Sequence, residues 1–158
     1  MKLAQTLVAA VFFGASSMVV AEQNAETPTW LFVQTAADFT LDGDQLNIPF
    51  EREIFAFTDR PNREYGYLNA HELEALWHTG EDNFADNPPN AVLTWMTDGK
   101  IQEAEIVLIA VKAEDLGRSV SYTIQWEAGE IIPVIADNVS LFIDGGFYDP
   151  EYNWRHCC

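Results

Sequence analysis

The sequence predicts a mainly β fold. We expect a single antiparallel β-sandwich or partly open barrel of about seven or eight strands, with one short α-helix inserted between the third and fourth strands. Short aromatic and β-branched runs separated by turn residues fill the chain from Trp30 to Asp144. The stretch "SVSYTIQWE" alternates apolar and polar residues, and only "NAHELEALWHTG" has apolar residues at helical spacing.

The first residues have the features of a secretory signal peptide. Lys2 precedes an apolar run from Leu3 to Val20, and small residues allow cleavage between Ala21 and Glu22. A membrane anchor is the alternative, but it needs about 20 apolar residues, and this run is interrupted at Gly14–Ser17. We therefore predict a periplasmic or secreted protein with no integral membrane segment once the leader is removed.

The predicted mature chain divides into three parts. A polar lead-in covers residues 22–29, a β-rich domain covers 30–144, and an aromatic and cysteine-containing tail covers 145–158. Without Lys2, seven basic residues face twenty-five acidic ones, which gives a formal charge of −18. Such a charge repels phosphate backbones and anionic lipids, so it disfavours nucleic-acid binding.

The first strands follow directly from local patterns. "WLFVQTA" is aromatic and β-branched, and "FTLDGDQLNI" contains two apolar arms around Asp42-Gly43-Asp44. Glycine provides the positive φ that a tight hairpin needs, so this segment predicts a hairpin. "EIFAFTD" predicts the next strand.

The later strands include a second hairpin, about Asp98-Gly99. Its return arm is apolar on both faces from Ile106 to Val111, which indicates a central strand. In "SVSYTIQWE" one face carries Val120, Tyr122, Ile124 and Trp126. "VSLFID" predicts the last strand.

The helix is predicted from its ends and its apolar stripe. Asn69 can cap it, Glu72 can reach back to complete a capping box, and Leu68 can pack on Leu73. Gly80 is expected to end it. The buried stripe is predicted to consist of Leu73, Leu76 and Trp77, with His71, Glu74 and His78 on the opposite, solvated side.

Several short motifs resemble a family of small exported bacterial proteins of uncharacterised function. They are "LFVQTA" at Leu31, "FTDRPNR" at Phe57, "LW" before Gly80, "NPPNAVL" at Asn87 and "LFID" at Leu141. The similarity spans about Trp30 to Asp144. It implies export and a common fold, and it implies no activity, ligand or catalytic residue.

Two of the few cations, Arg60 and Arg63, flank Pro61 at an expected turn after "EIFAFTD". One hypothesis is structural: both arginines pair with nearby acids such as Asp59, Glu64 or the acids of the linker "EDNFADNPPN". The other is functional: their planar guanidinium groups, with Asp59 beside them, form a receptor for a small anionic ligand.

The tail ends in His156, Cys157 and Cys158. Adjacent α-carbons lie about 3.8 Å apart, which strains a disulfide between the two cysteines. Three interpretations stay open: no specific role, a disulfide-linked dimer, or capture of copper or zinc by two thiolates and an imidazole. On the helix, His71 and His78 are too far apart along the axis to share one metal ion.

The sequence contains no recognisable nucleophile or oxyanion motif, so it predicts no catalytic residue. The expected function is a non-catalytic binding or interaction module whose partner is a protein or a small anion. The alternatives are a soft-metal-handling protein that uses the tail and, more distantly, a hydrolase that uses His71.

Overall fold

A computed structural model describes residues 29–61, 63–80 and 83–145. The predicted signal peptide, nearly all of the lead-in and the tail from residue 146 onward lie outside the described residues. The eight strands are β1 (Trp30–Asp42), β2 (Gln45–Pro49), β3 (Ile54–Thr58), β4 (Tyr65–Leu68), β5 (Asn90–Thr97), β6 (Lys100–Glu114), β7 (Ser119–Trp126) and β8 (Ile135–Ile143). One helix, α1 (Ala70–Leu76), lies between β4 and β5, and a short helical turn (Asp115–Gly117) joins β6 to β7.

The strands form one antiparallel sheet that closes into a barrel. Their order is β2-β7-β6-β5-β8-β1-β3-β4, and β2 also pairs with β1. The last pairing closes a ring of six strands, while β3 and β4 extend from β1 outside the ring. The mainly β prediction is confirmed. Of the two architectures expected, the structure is a barrel, and it is closed rather than partly open.

Closure depends on the length of β1, which shares one of its edges between two strands. Trp30–Val33 pair with β3, and Thr40–Asp42 pair with β2. The opposite edge pairs with β8 from Phe32 to Thr40. Between the two shared segments, the Ala37 amide donates to the Glu51 carboxylate at 3.0 Å. A side chain thus satisfies a backbone donor where β1 passes from one partner to the other.

Both predicted hairpins are confirmed. Asp42 pairs with Gln45, so the first turn contains only Gly43 and Asp44, and Gly43 has φ +61°. In the second, Thr97 pairs with Lys100. Its central residues Asp98 and Gly99 have φ of 51° and 72°. Positive φ at both central positions matches the twist of the flanking strands.

The region between β3 and α1 differs from the prediction. The chain does not pass from the turn at Pro61 straight to the helix, because Tyr65–Leu68 returns as β4 and pairs with β3. The helix therefore follows the fourth strand rather than the third. It also ends at Leu76, before Gly80, which has φ +88° in the following turn.

The start of α1 and its buried stripe are as predicted. The Asn69 side chain accepts from the Glu72 amide at 3.0 Å, and the Glu72 carboxylate accepts from the Asn69 amide at 2.7 Å. Leu73, Leu76 and Trp77 are buried. Glu74 keeps a side chain that is 40% exposed, and it also accepts a hydrogen bond from the Ala113 amide of β6 at 3.2 Å. This bond ties α1 to the part of β6 that extends beyond its pairing with β5.

A polar pair lies among the apolar side chains that fill the core of the described residues. Val120, Tyr122 and Ile124 of β7 are buried as predicted, and Trp126 is half-buried beside them. The Tyr122 hydroxyl donates to the Gln34 side-chain oxygen, and both side chains are almost fully buried. The Gln34 amide nitrogen has no hydrogen-bond partner within the described residues. The pair is therefore only partly satisfied.

Removing the Tyr122 hydroxyl should destabilise the fold. Tyr122→Phe leaves the Gln34 oxygen without a donor, which costs about 1–3 kcal/mol of unfolding free energy, measurable by urea titration. Replacing both partners, as Gln34→Met with Tyr122→Phe, should recover much of that loss because no polar group is then buried. A single variant as stable as wild type would contradict the pairing.

The same residue predicts a pH dependence. Burial raises the pKa of Tyr122 above its ordinary value. Above about pH 10 the unfolded chain loses this proton and the folded chain keeps it, so the unfolding free energy must fall as pH rises. We expect the fall to be steeper in wild type than in Tyr122→Phe, by up to about 1.4 kcal/mol per pH unit. Parallel curves in this alkaline range would contradict burial of the hydroxyl.

Candidate ligand-binding face

Apolar side chains form a continuous row on the side of the sheet that faces away from the core. Phe142 of β8 pairs with Val33 of β1 on one side and with Val92 of β5 on the other. The residues next to them along each strand, Phe32, Leu93 and Ile143, are buried. Since successive side chains of a strand alternate between its two faces, Val33, Val92 and Phe142 point outward. Phe142 is 46% exposed. The register continues the row in both directions as Tyr67, Phe55, Val33, Phe142, Val92 and Glu105. We call these six residues the outer row.

The β3–β4 hairpin adds an aromatic cluster at one end of the outer row. Phe55 and Phe57 stack with ring centroids 5.4 Å apart, and Phe55 lies 5.5 Å from Tyr67. Tyr65 and Tyr67 contact edge to face at 6.4 Å. Tyr65 is 68% exposed and Tyr67 58%. Because β4 is the outermost strand on this side of the sheet, the rings are open to a partner.

A groove of about 710 Å³ is lined by four residues of the outer row, Val33, Phe142, Val92 and Glu105. Their buried strand neighbours Phe32, Ala91, Ile106 and Ile143 also line it. Segments of β3, β1, β8, β5, β6 and β7 line it, with Leu31, Val33, Val92, Val107, Phe57 and Phe142 as apolar lining residues. Its volume lies within the range of about 300–1,000 Å³ that is usual for ligand pockets. Trp126, which the sequence analysis assigned to the inward side of β7, also lines it.

The charged residues of the groove are acidic. Glu105, Glu127 and Asp144 line it, and within the described residues no lysine, arginine or histidine does so. All three acids are exposed. The ion pairs of the described chain join His71 to Glu74, Lys112 to Glu114 and Arg118 to Asp115, so none of them involves a groove carboxylate. Electrostatically, the groove favours cations.

The structure places Asp59, Arg60 and Arg63 at the tip of the β3–β4 hairpin, beyond Phe57. All three are exposed. The Asp59 carboxylate accepts from the Arg60 backbone amide at 2.6 Å, and Arg63 has φ 55°. Within the described residues neither arginine makes an ion pair with a carboxylate. Pairing with the acids of the linker, which include residues 81 and 82 outside the described residues, stays a prediction. The anion-receptor hypothesis stays a prediction.

The other predicted candidates give no assembled metal or catalytic centre in the described part of the chain. His71 lies 4.0 Å from the Glu74 carboxylate, and that carboxylate is already hydrogen-bonded to β6. Residues 29–61, 63–80 and 83–145 contain no group of three or more histidine, cysteine or acidic residues able to hold a metal. His156, Cys157 and Cys158 lie outside these residues, so copper or zinc binding there stays a prediction.

Sequence analysis missed the outer row, although a signal was present. The segments "WLFV", "IFAF", "AVL", "IVL" and "LFI" are apolar at every position. A strand with one solvent-facing side alternates, whereas a strand that is apolar on both sides is normally covered on both sides. The sequence analysis interpreted only the run after Glu105 as a strand covered on both sides. That all five segments meet on one face could not be predicted without knowing the strand order.

Comparison of the chain with known protein families, with curated proteins and with solved structures found no match. Within the described residues, no helix combines the length and the apolar character needed to cross a membrane. The resemblance to a small exported bacterial family therefore stays a prediction.

Removing the hairpin arginines should leave stability almost unchanged. Arg60→Gln with Arg63→Gln breaks no described ion pair, so the unfolding free energy should change by less than about 0.5 kcal/mol in denaturant titration. Arg118→Gln is the matched control, since it removes an ion pair with Asp115 at 2.6 Å and should cost up to about 1 kcal/mol. A larger loss of unfolding free energy in the double variant than in the control would contradict this expectation and favour the structural hypothesis.

Proposed function

We propose that this chain is an exported, non-catalytic binding module whose ligand lies along the outer row. One observation carries the proposal: five strand segments that are apolar on both sides meet on one face, where Phe142 is 46% exposed. The buried side of each segment forms the core. The outward side is apolar as well, as is usual for strands that are shielded from water on both sides. A bound ligand would shield this side.

The energetics support binding at this face. Covering apolar surface contributes about 25 cal/mol per Å² removed from water. The groove residues lie on paired strands, so they are already held in place and little ordering is needed on binding. The aromatic cluster adds large rigid rings of the kind that dominate contact surfaces.

Export is the second part of the proposal and depends on residues 1–21. An exported chain meets partners outside the cytoplasm, and the formal charge of −18 keeps it soluble there and selects against anionic surfaces. The non-catalytic assignment is supported by the character of the groove, whose floor is made of aliphatic and aromatic side chains.

Binding of an uncharged apolar probe should test the proposed face directly. We expect the dye Nile red to bind the wild-type protein saturably at one site, with a rise in fluorescence. Phe142→Ser should weaken this binding by about tenfold or more, because it removes the most exposed ring in the groove. Ile131→Ser is the matched control, since Ile131 is 88% exposed and does not line the groove.

Both variants should unfold near the wild-type denaturant midpoint, because both side chains are exposed. Equal loss of dye binding in the two variants, or no saturable binding to wild type, would contradict the proposal.

A further inference from the structure

The outer row has two chemically different ends. At one end lie Tyr67 and Phe55 of the hairpin. At the other end Glu105 pairs with Val92. Ile106 pairs with Trp126 across β6 and β7, and Glu127 follows Trp126 directly after the end of β7. Both glutamates line the groove. The row therefore runs from aromatic rings, through aliphatic side chains, to a pair of carboxylates.

The two carboxylates favour a cationic group. Two like charges in one groove repel each other. A bound ammonium or guanidinium group would relieve that repulsion and gain charge-assisted hydrogen bonds to the carboxylates. The formal charge of −17 adds a long-range attraction for cations.

The apolar residues in the middle of the outer row determine which class of ligand can lie there. Val33 and Val92 offer no hydrogen-bonding side chains, so a sugar laid across them would leave hydroxyl groups unpaired. A second copy of this chain would bring two strongly negative proteins together. Neighbouring strands lie about 4.8 Å apart, so the path along the six strands of the row is about 24 Å long, the length of an extended segment of about seven residues. Four of these strands belong to the closed ring, so the segment has to follow the curvature of the barrel wall.

We propose that the occupant of the outer row is a polypeptide segment that is apolar along most of its length and basic at one end. This inference rests on the proposed function and specifies its partner. The apolar residues lie over Phe55, Val33, Phe142 and Val92, and the basic end lies between Glu105 and Glu127.

A set of synthetic peptides tests the inference by calorimetry on the full-length mature protein. The first peptide carries a run of leucine and valine followed by a pair of lysines. In the second the lysines are replaced by glutamines, and in the third by glutamates. We expect the lysine peptide to bind about tenfold more tightly than the glutamine peptide, and the glutamate peptide not to bind. Rising salt should reduce the advantage of lysine.

Two protein variants locate the charge effect. Glu105→Gln with Glu127→Gln should abolish the advantage of the lysine peptide over the glutamine peptide. Glu103→Gln with Glu130→Gln is the matched control, since it removes the same charge from exposed positions that do not line the groove. This control should retain the preference in full.

Each other outcome overturns the inference in a distinguishable way. If Nile red binds at Phe142 but the three peptides bind equally, the binding face stands and the basic partner is wrong. If neutral oligosaccharides bind at the face and the lysine peptide does not, the ligand is a carbohydrate. If the protein sediments as a dimer that Phe142→Ser dissociates, the occupant is a second copy. If neither dye nor peptide binds, the proposed function fails as well.

Discussion

The structure depends on one thirteen-residue strand, β1, which pairs with three others. Its edge opposite β8 is divided, with Trp30–Val33 held by β3 and Thr40–Asp42 held by β2. The β2 pairing closes the barrel, so the sheet keeps a free outer edge at β4 and none at β2. The β3 pairing forces the β3–β4 hairpin to leave the ring. A shorter β1 could satisfy only one of these two partners, and then either the barrel would open or the hairpin would be lost.

The outer row is a consequence of that division. The hairpin carries Phe55 and Tyr67 outward beside Val33, so the apolar surface of the barrel wall continues onto strands that have no place in the ring. On the inner side the same hairpin covers the core together with α1, whose Glu74 bonds the Ala113 amide of β6. The core and the binding face are thus two sides of the same strands.

Local features were predictable because short-range chemistry fixes them. The Asp-Gly turns, the capping box of Asn69 and Glu72 and the inward face of Val120, Tyr122 and Ile124 all follow from residues close in sequence. By contrast, β4 was missed because Gly66 and two exposed tyrosines give it no alternating pattern, so only its pairing with β3 makes it a strand. Closure could not be predicted, since it joins segments with no local signal for each other. The candidate site was missed for the same reason: Val33, Phe142 and Val92 are distant in sequence and become neighbours only through the strand order.

The most direct test of the account is whether β1 makes both pairings at once. Nuclear magnetic resonance on one sample can detect close contacts between backbone protons of Thr40 and Asn47 and between those of Leu31 and Phe57, which are opposite each other in the two registers. The account predicts both sets of contacts, together with slow amide exchange along β1. Contacts to β3 without contacts to β2, with rapid exchange from Thr40 to Asp42, would show an open sheet and contradict it.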